Sequence, residues 1–181
     1  EKSTFASDAY RMNFTSNHDE NSWNGTVQER LGAAASTFAV LAVMLPGMPL
    51  VYSGQEAGLD KRLAFFDKDL IPWRESGMAS LYQRLFRLKR EQPALWNGLD
   101  GGAVVPVPTS QSETLFALLR EKQDSRVLSI FNLSDQPVTA QLSEDQNLVG
   151  RDMDPVSGKP QSIERQFAIQ LPPWGWRLWV K

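Results

Sequence analysis

Asn17-His18-Asp19-Glu20 puts an amide, an imidazole and two carboxylates into four consecutive residues. A histidine beside carboxylates can serve a metal site, acid–base chemistry or electrostatic stabilisation. Neighbouring residues cannot all face one ion from a regular element, and a catalytic zinc ordinarily takes three protein ligands. His18 is the one histidine and cysteine is absent, so no metal site is read here. Without context, a lone histidine in a polar loop is simply exposed or hydrogen-bonded. A second polar stretch, Gly54-Gln55-Glu56 with Gly58 and Asp60, lies downstream. Glu56 is read there as a structural hydrogen-bonding group near the site. Glu20 is read as a loop charge.

Both stretches follow short apolar segments. Tyr10 to Ser16 is a strand candidate with Met12 and Phe14 on one face. After a polar loop, Asn17 to Gly25, Thr26 and Glu29 have the spacing of a capping box. The helix they open is expected to run to about Leu45 and stop at Pro46-Gly47. It is rich in alanine and apolar almost all round, so it is expected to pack on both sides. Pro49 to Ser53 follows as a nearly all-apolar strand of the parallel, doubly covered kind. Lys61 to Arg74 reads as an irregular loop, and Ser80 to Glu91 as an amphipathic helix with Leu81, Leu85 and Leu88 at helical spacing.

Composition shifts near Asn97-Gly98, and short strands separated by turns follow. The clearest are Thr114–Glu121, Val127–Asn132, Val138–Leu142 and Trp174–Val180, with turn signals at Ser134–Pro137 and from Asp154 to Gly158. This spacing predicts an antiparallel sandwich or small barrel. Two parallel strands with two helices do not make a stable sheet, because both edges stay open. The first ~95 residues therefore read as the last part of a larger α/β domain, with function on the loops that follow its strands.

Composition narrows the classes. Of 181 residues, 41% are hydrophobic and 22% charged, as in an ordinary globular protein. Residues 1–97 carry 11 basic and 11 acidic side chains, and residues 98–181 carry 8 and 10. Neither half has the basic excess that nucleic-acid binding needs. No apolar run reaches the ~18 residues of a membrane span; the longest, Ala33 to Met48, is broken by Ser36, Thr37, Pro46 and Gly47. The absence of cysteine excludes a disulfide scaffold, a thiolate metal site and a cysteine nucleophile. Three glycosylation triplets, at Asn13, Asn24 and Asn132, are given no weight.

Phe14-Thr15-Ser16-Asn17-His18-Asp19 resembles the F-x-x-N-H-D motif at the end of the seventh barrel strand in the α-amylase family of retaining glycosidases. Gly47 to Glu56 resembles that family's eighth strand and the loop after it, and the all-β tail resembles its C-terminal sandwich. The resemblance implies α/β plus all-β architecture: residues 1–97 as the last β/α units of a (β/α)8 barrel, and residues 98–181 as an antiparallel β-sandwich. It implies that Asp19 stabilises the transition state, that His18 hydrogen-bonds sugar hydroxyls beside it, and that Asn17 belongs to the same substrate-binding group, where it orients the loop or Asp19 itself. Retaining enzymes cleave through an oxocarbenium-like state with two further carboxyl groups as nucleophile and acid/base. Asp19 corresponds to the family's third carboxylate, held in a concave surface between strand ends. No residue here matches the other two, which belong to earlier strands.

The parent is therefore expected to act on α-glucans, by hydrolysis or as a transglycosylase, and this portion alone to be inactive. Its expected partners are an α-glucan and the missing N-terminal part of the barrel, without nucleic acid or membrane. No cofactor and no metal is expected; calcium, frequent in the family, usually sits on parts of the chain absent here. An extracellular or periplasmic place is favoured over a cytoplasmic one. The alternative function is a non-catalytic carbohydrate-binding or interaction module. Trp23 is open between stacking on a sugar ring and packing. Arg62, Phe65, Phe66 and Trp73 are expected to pack their own loop rather than line an outer subsite. Alternation places Trp174 and Trp176 on one face with Leu178 and Val180, in the sandwich core rather than on a binding surface.

Overall fold

The computed structural model describes residue 6 and residues 9–141, 150–153, 160–163 and 168–181. Their chain contacts divide them into two compact units, Glu1–Arg87 and Leu88–Lys181.

In the first unit, β1 (Met12–Asn13) pairs in parallel with β2 (Met48–Pro49), in the register Met12 to Met48 and Asn13 to Pro49. Met48 N donates to Arg11 O at 2.7 Å and Leu50 N to Asn13 O at 2.8 Å, which closes the ladder. Both strands are shorter than the sequence predicts. Residues 50–53 and 14–16 are extended candidates that make no further strand pairing among the described residues, and a strand is defined by its neighbour's hydrogen bonds.

Between the strands the expected single helix is two. α1 (Val27–Leu31) starts on the predicted capping box: Thr26 N donates to Glu29 Oε2 at 2.7 Å, and Glu29 N to Thr26 Oγ1 at 3.1 Å. The chain then turns at Gly32, whose φ of 51° is not helical, and passes through a 3-10 turn (Gly32–Ala34) into α2 (Ala35–Met44). Val40, Val43 and Met44 are fully buried. α2 ends before Pro46-Gly47, where a sharp turn leads into β2. Gly47 has φ 123°, and a Cβ there would lie 2.4 Å from Arg11 O. α3 (Gly77–Glu91) starts three residues earlier than its apolar spacing suggests and buries Leu81, Tyr82, Leu85 and Leu88.

The second unit is antiparallel throughout. Six strands run in the order β3 (Val104–Pro106), β4 (Leu115–Lys122), β5 (Ser125–Asn132), β10 (Trp176–Val180), β7 (Gly150–Met153), β8 (Pro160–Ile163). β6 (Val138–Gln141) and β9 (Ala168–Leu171) form a separate pair. One core joins the two sheets: Leu115, Ala117 and Leu119 of β4, Leu128 and Ile130 of β5 and Trp179 of β10 meet Val138 of β6 and Ile169 and Leu171 of β9. The period-two spacing of these residues is what puts them on one face. The opposite face is also dry, with Leu118, Val127, Phe131 and Leu178 buried. There Arg120 donates to Gly102 O at 3.0 Å and Trp96 O at 2.9 Å, and Ser125 Oγ accepts from Ala94 N at 3.1 Å.

The tryptophans correct the expected alternation. Trp179, not Trp174 or Trp176, is the fully buried core ring. Trp174 lies in the turn before β10 with φ 53°, so the strand begins only at Trp176. Because both faces of this sheet are covered, the consecutive Leu178 and Trp179 are both buried, on opposite faces, and period two alone cannot say which carries the core. The turn signal from Asp154 to Gly158, and Leu142, lie outside the described residues.

Gly47→Ala is expected to lower stability by roughly 1–3 kcal/mol, from backbone strain and the clash with Arg11 O. Thermal unfolding of the 181-residue chain measures it; an unchanged midpoint would contradict the tight turn.

Candidate functional site

Asn17 to Asn24 is a helical turn rather than an irregular loop. His18 and Asp19 open it and Glu20–Asn24 continue it in the wide π geometry. Asn17 caps it: its Oδ1 accepts from Glu20 N at 2.7 Å, and its carbonyl accepts from Asn21 N at 2.9 Å. The Asn17 side chain is therefore spent on the backbone, with His18 and Asp19 directly after it. The turn begins four residues beyond the C-terminal end of β1, on the strand that runs parallel to β2.

Hydrogen bonds hold this turn in place, several from residues that spacing alone did not single out. Arg30 donates from Nη2 to Thr15 O at 2.5 Å and from Nε to Gly25 O at 3.1 Å, and pairs through Nη1 with Glu20 Oε2 at 3.2 Å. Glu20, read from sequence as a loop charge, thus has a fixed partner. The buried Asn21 donates to Lys61 O at 3.1 Å and accepts from Leu63 N at 2.8 Å. Gln55 joins the two strand ends: its Nε2 donates to Thr15 Oγ1 at 2.8 Å, and its Oε1 accepts from Tyr52 N at 2.8 Å. Gln55 is buried, and Tyr82 OH lies 3.4 Å from Nε2. Glu56 Oε2 accepts from Gly54 N at 2.9 Å, which folds the second loop on itself.

His18 Nε2 and Asp19 Oδ2 are 3.7 Å apart, and their side chains are 68% and 60% exposed. Both face outward. A cavity of about 220 Å³ in the same unit is lined by Val27, Gln55, Leu59, Asp60, Arg74 and Met78, and neither His18 nor Asp19 borders it. The two strand ends of this unit thus present Asp19 on an open rim, not in a closed pocket. Trp23 lies on the same turn, with its ring centroid 5.3 Å from that of Phe65, and His18 stacks on Phe65 at 5.6 Å. Phe66 lies against both Trp23 and Phe65. The loop aromatics do not bury one another as expected: Phe66 and Trp73 are exposed.

Glu29 ties the capping box to the second loop. Arg62 Nε donates to its Oε2 at 2.9 Å and Nη2 to its Oε1 at 3.1 Å. With the backbone N–H of Thr26, this holds the Glu29 carboxyl down at about 2, against an ordinary value of 4.5. Among the described residues no group of three or more histidine, aspartate or glutamate side chains is disposed to hold a metal ion, and no helix is long and apolar enough to cross a membrane.

No protein-family model and no curated protein matches the sequence. Solved structures do match. The maltogenic α-amylase AmyB from Thermotoga neapolitana superposes with a TM-score of 0.80 at 17% identity, over 98% of this chain and 42% of that one. An α-amylase from Lactobacillus plantarum gives 0.73 at 18% identity, over 99% and 40%. The α-amylase from Geobacillus thermoleovorans, solved with acarbose, gives 0.72 at 16% identity, over 94% and 38%. The chain thus has the fold of a portion of α-amylase-family enzymes. It spans about two-fifths of the length of the structures it matches.

Two outcomes follow. The Glu29 carboxyl is more acidic folded than unfolded, so its contribution is complete above about pH 4.5 and fades as pH falls towards 2. Arg62→Gln should return the Glu29 titration, followed by carboxyl-carbon NMR, towards 4.5 and move acid unfolding to milder pH; an unmoved titration would contradict the pairing. Gln55→Ala should cost roughly 1–2 kcal/mol in denaturant unfolding, because it removes the buried amide that bonds the half-buried Thr15 hydroxyl and Tyr52 N–H; an unchanged midpoint would contradict the cross-link.

Proposed function

We propose that this chain is the C-terminal portion of an α-amylase-family enzyme acting on α-glucans, with residues 1–97 completing its catalytic (β/α)8 barrel and residues 98–181 forming its C-terminal β-sandwich. The observation that carries the reading is the placement of Asn17-His18-Asp19 just past β1, a strand parallel to β2. The amylase folds over nearly the whole chain support it, as does the one core shared by two antiparallel sheets.

In this reading Asp19 is the transition-state stabiliser. A glycosidic bond breaks through a ring that gains positive charge, and a fixed carboxylate lowers that state more than the neutral ground state. His18 donates to sugar hydroxyls beside it, Asn17 fixes the turn that carries both, and Trp23 supplies an apolar face. Glu56 shapes the neighbouring rim through Gly54 N. The nucleophile, the proton donor and the rest of the concave wall come from the preceding strands of the parent barrel. The 181 residues alone are therefore inactive, and their partners are those strands and the glucan. A non-catalytic glucan-binding module is the second reading, favoured by the outward exposure of His18 and Asp19.

Combining the chain with the separately produced N-terminal part of its parent should restore maltooligosaccharide hydrolysis. Asp19→Asn should lower kcat by about 100-fold or more, the scale of a lost electrostatic contact to the transition state. Restored hydrolysis indifferent to Asp19→Asn would overturn the assignment, and saturable glucan binding without restored hydrolysis would favour the module.

A further inference from the structure

The chain holds two Asn-Gly pairs, Trp23-Asn24-Gly25 and Trp96-Asn97-Gly98. Such a pair carries its own reaction. The backbone nitrogen of the glycine can attack the side-chain carbon of the asparagine before it, because glycine has no Cβ to obstruct the approach. Both pairs follow a tryptophan, so sequence alone gives them similar reactivity and the fold decides between them. The first pair is held. Asn24 Nδ2 donates to Glu20 Oε2 at 3.2 Å, and Gly25 N donates to Glu20 O at 2.9 Å. Gly25 is buried, and its carbonyl accepts from Arg30 Nε at 3.1 Å. The attacking nitrogen and the departing amide are thus both engaged elsewhere.

At the second pair neither group is engaged. Asn97 precedes the 3-10 turn Gly98–Asp100 without capping it, and its Oδ1 is buried with no hydrogen-bond partner. A buried acceptor left unmet gains by moving away. Gly98 is exposed, with φ 57°, and its N–H has no acceptor among the described residues. The loop around this loose pair is closed tightly. Arg120 grips it at both ends, from Nη2 to Trp96 O at 2.9 Å and from Nε to Gly102 O at 3.0 Å. Lys122 Nζ donates to Leu99 O at 2.7 Å in the middle. The closure has no slack: a Cβ at Gly101 would lie 1.8 Å from Trp96 O, and one at Gly102 2.4 Å from Glu121 O.

We infer that Asn97 is a site of spontaneous modification, deamidation driven by Gly98, and that its isoaspartyl product loosens the loop that Arg120 closes. Gly98 N gives its proton to a hydroxide ion and attacks Asn97 Cγ. The N–Cγ bond forms, the Cγ–Nδ2 bond breaks, and ammonia leaves a cyclic imide. Water then adds to one of the two imide carbonyls and reopens the ring. An amide and a water become a carboxylate and an ammonium ion, and nothing is oxidised or reduced. Opening at the side-chain carbonyl gives aspartate on the original backbone. Opening at the backbone carbonyl gives isoaspartate, whose main chain runs through the former side chain and is one methylene longer. That extra length enters a loop whose two ends one guanidinium holds in place. The inference is independent of the α-glucan reading.

The test incubates the 181-residue chain at mildly alkaline pH, folded and in denaturant, and follows each asparagine by peptide mass spectrometry. In the folded chain Asn97 should convert at least about tenfold faster than Asn24, because one pair can reach the attack geometry and the other is held from it. In denaturant the two should convert at similar rates. Equal rates in the folded chain, or faster conversion of Asn24, would overturn the site. A difference that persists in denaturant would trace it to sequence and overturn the role of the fold. The isoaspartyl chain, separated from fresh chain by its added charge, should unfold at a lower denaturant concentration than Asn97→Asp, which carries the same charge on the original backbone. Equal midpoints for those two would overturn the loosening of the loop.

Discussion

A buried amide joins the two segments that bear the candidate site. Gln55 follows β2, yet its side chain reaches Thr15 after β1 and the backbone of Tyr52 beside it. Two parallel strands of two residues each cannot define a rim by ladder hydrogen bonds alone. The amide supplies cross-links beyond the ladder, and being buried itself it is costly to leave unpaired. Arg30 adds a second clamp from α1, on Thr15 O and Gly25 O. The turn that carries His18 and Asp19 is thereby fixed at both ends while the two side chains themselves stay outside.

That division of labour leaves a fixed backbone under reachable side chains, so a ligand can meet His18 and Asp19 without the turn reorganising. Asn17 shows the same economy. Its side chain closes the helical turn instead of reaching outward, the loop-orienting role that the sequence left open to it. Glu29 and Arg62 extend the scaffold to the loop that follows β2.

Some of this was legible in the sequence and some was not. The capping box of Thr26 and Glu29, the amphipathic α3 and the strands β4 and β5 follow from spacing, because local hydrogen bonding and periodic burial decide them. The break at Gly32 was hidden because one glycine, at a cost of about 1 kcal/mol, does not by itself end an alanine-rich helix. The burial of Trp179 instead of Trp176 was hidden because a sheet covered on both faces has no polar face to set the phase. At the site, the order of Asn17, His18 and Asp19 was visible, but the bracing by Asn21, Arg30 and Gln55 was not. Those bonds join residues up to 42 positions apart, and only the folded chain brings them together.

The central claim is that the Asp19 carboxylate favours a sugar ring as it becomes cationic. The most direct measurement compares ligand affinities in the reassembled enzyme, with and without Asp19→Asn, for a positively charged iminosugar and for neutral maltose. The account predicts that the substitution weakens the iminosugar by at least about tenfold more than maltose. Equal losses for the two ligands would contradict it, because a group that merely holds hydroxyls cannot distinguish a cation from a neutral ring.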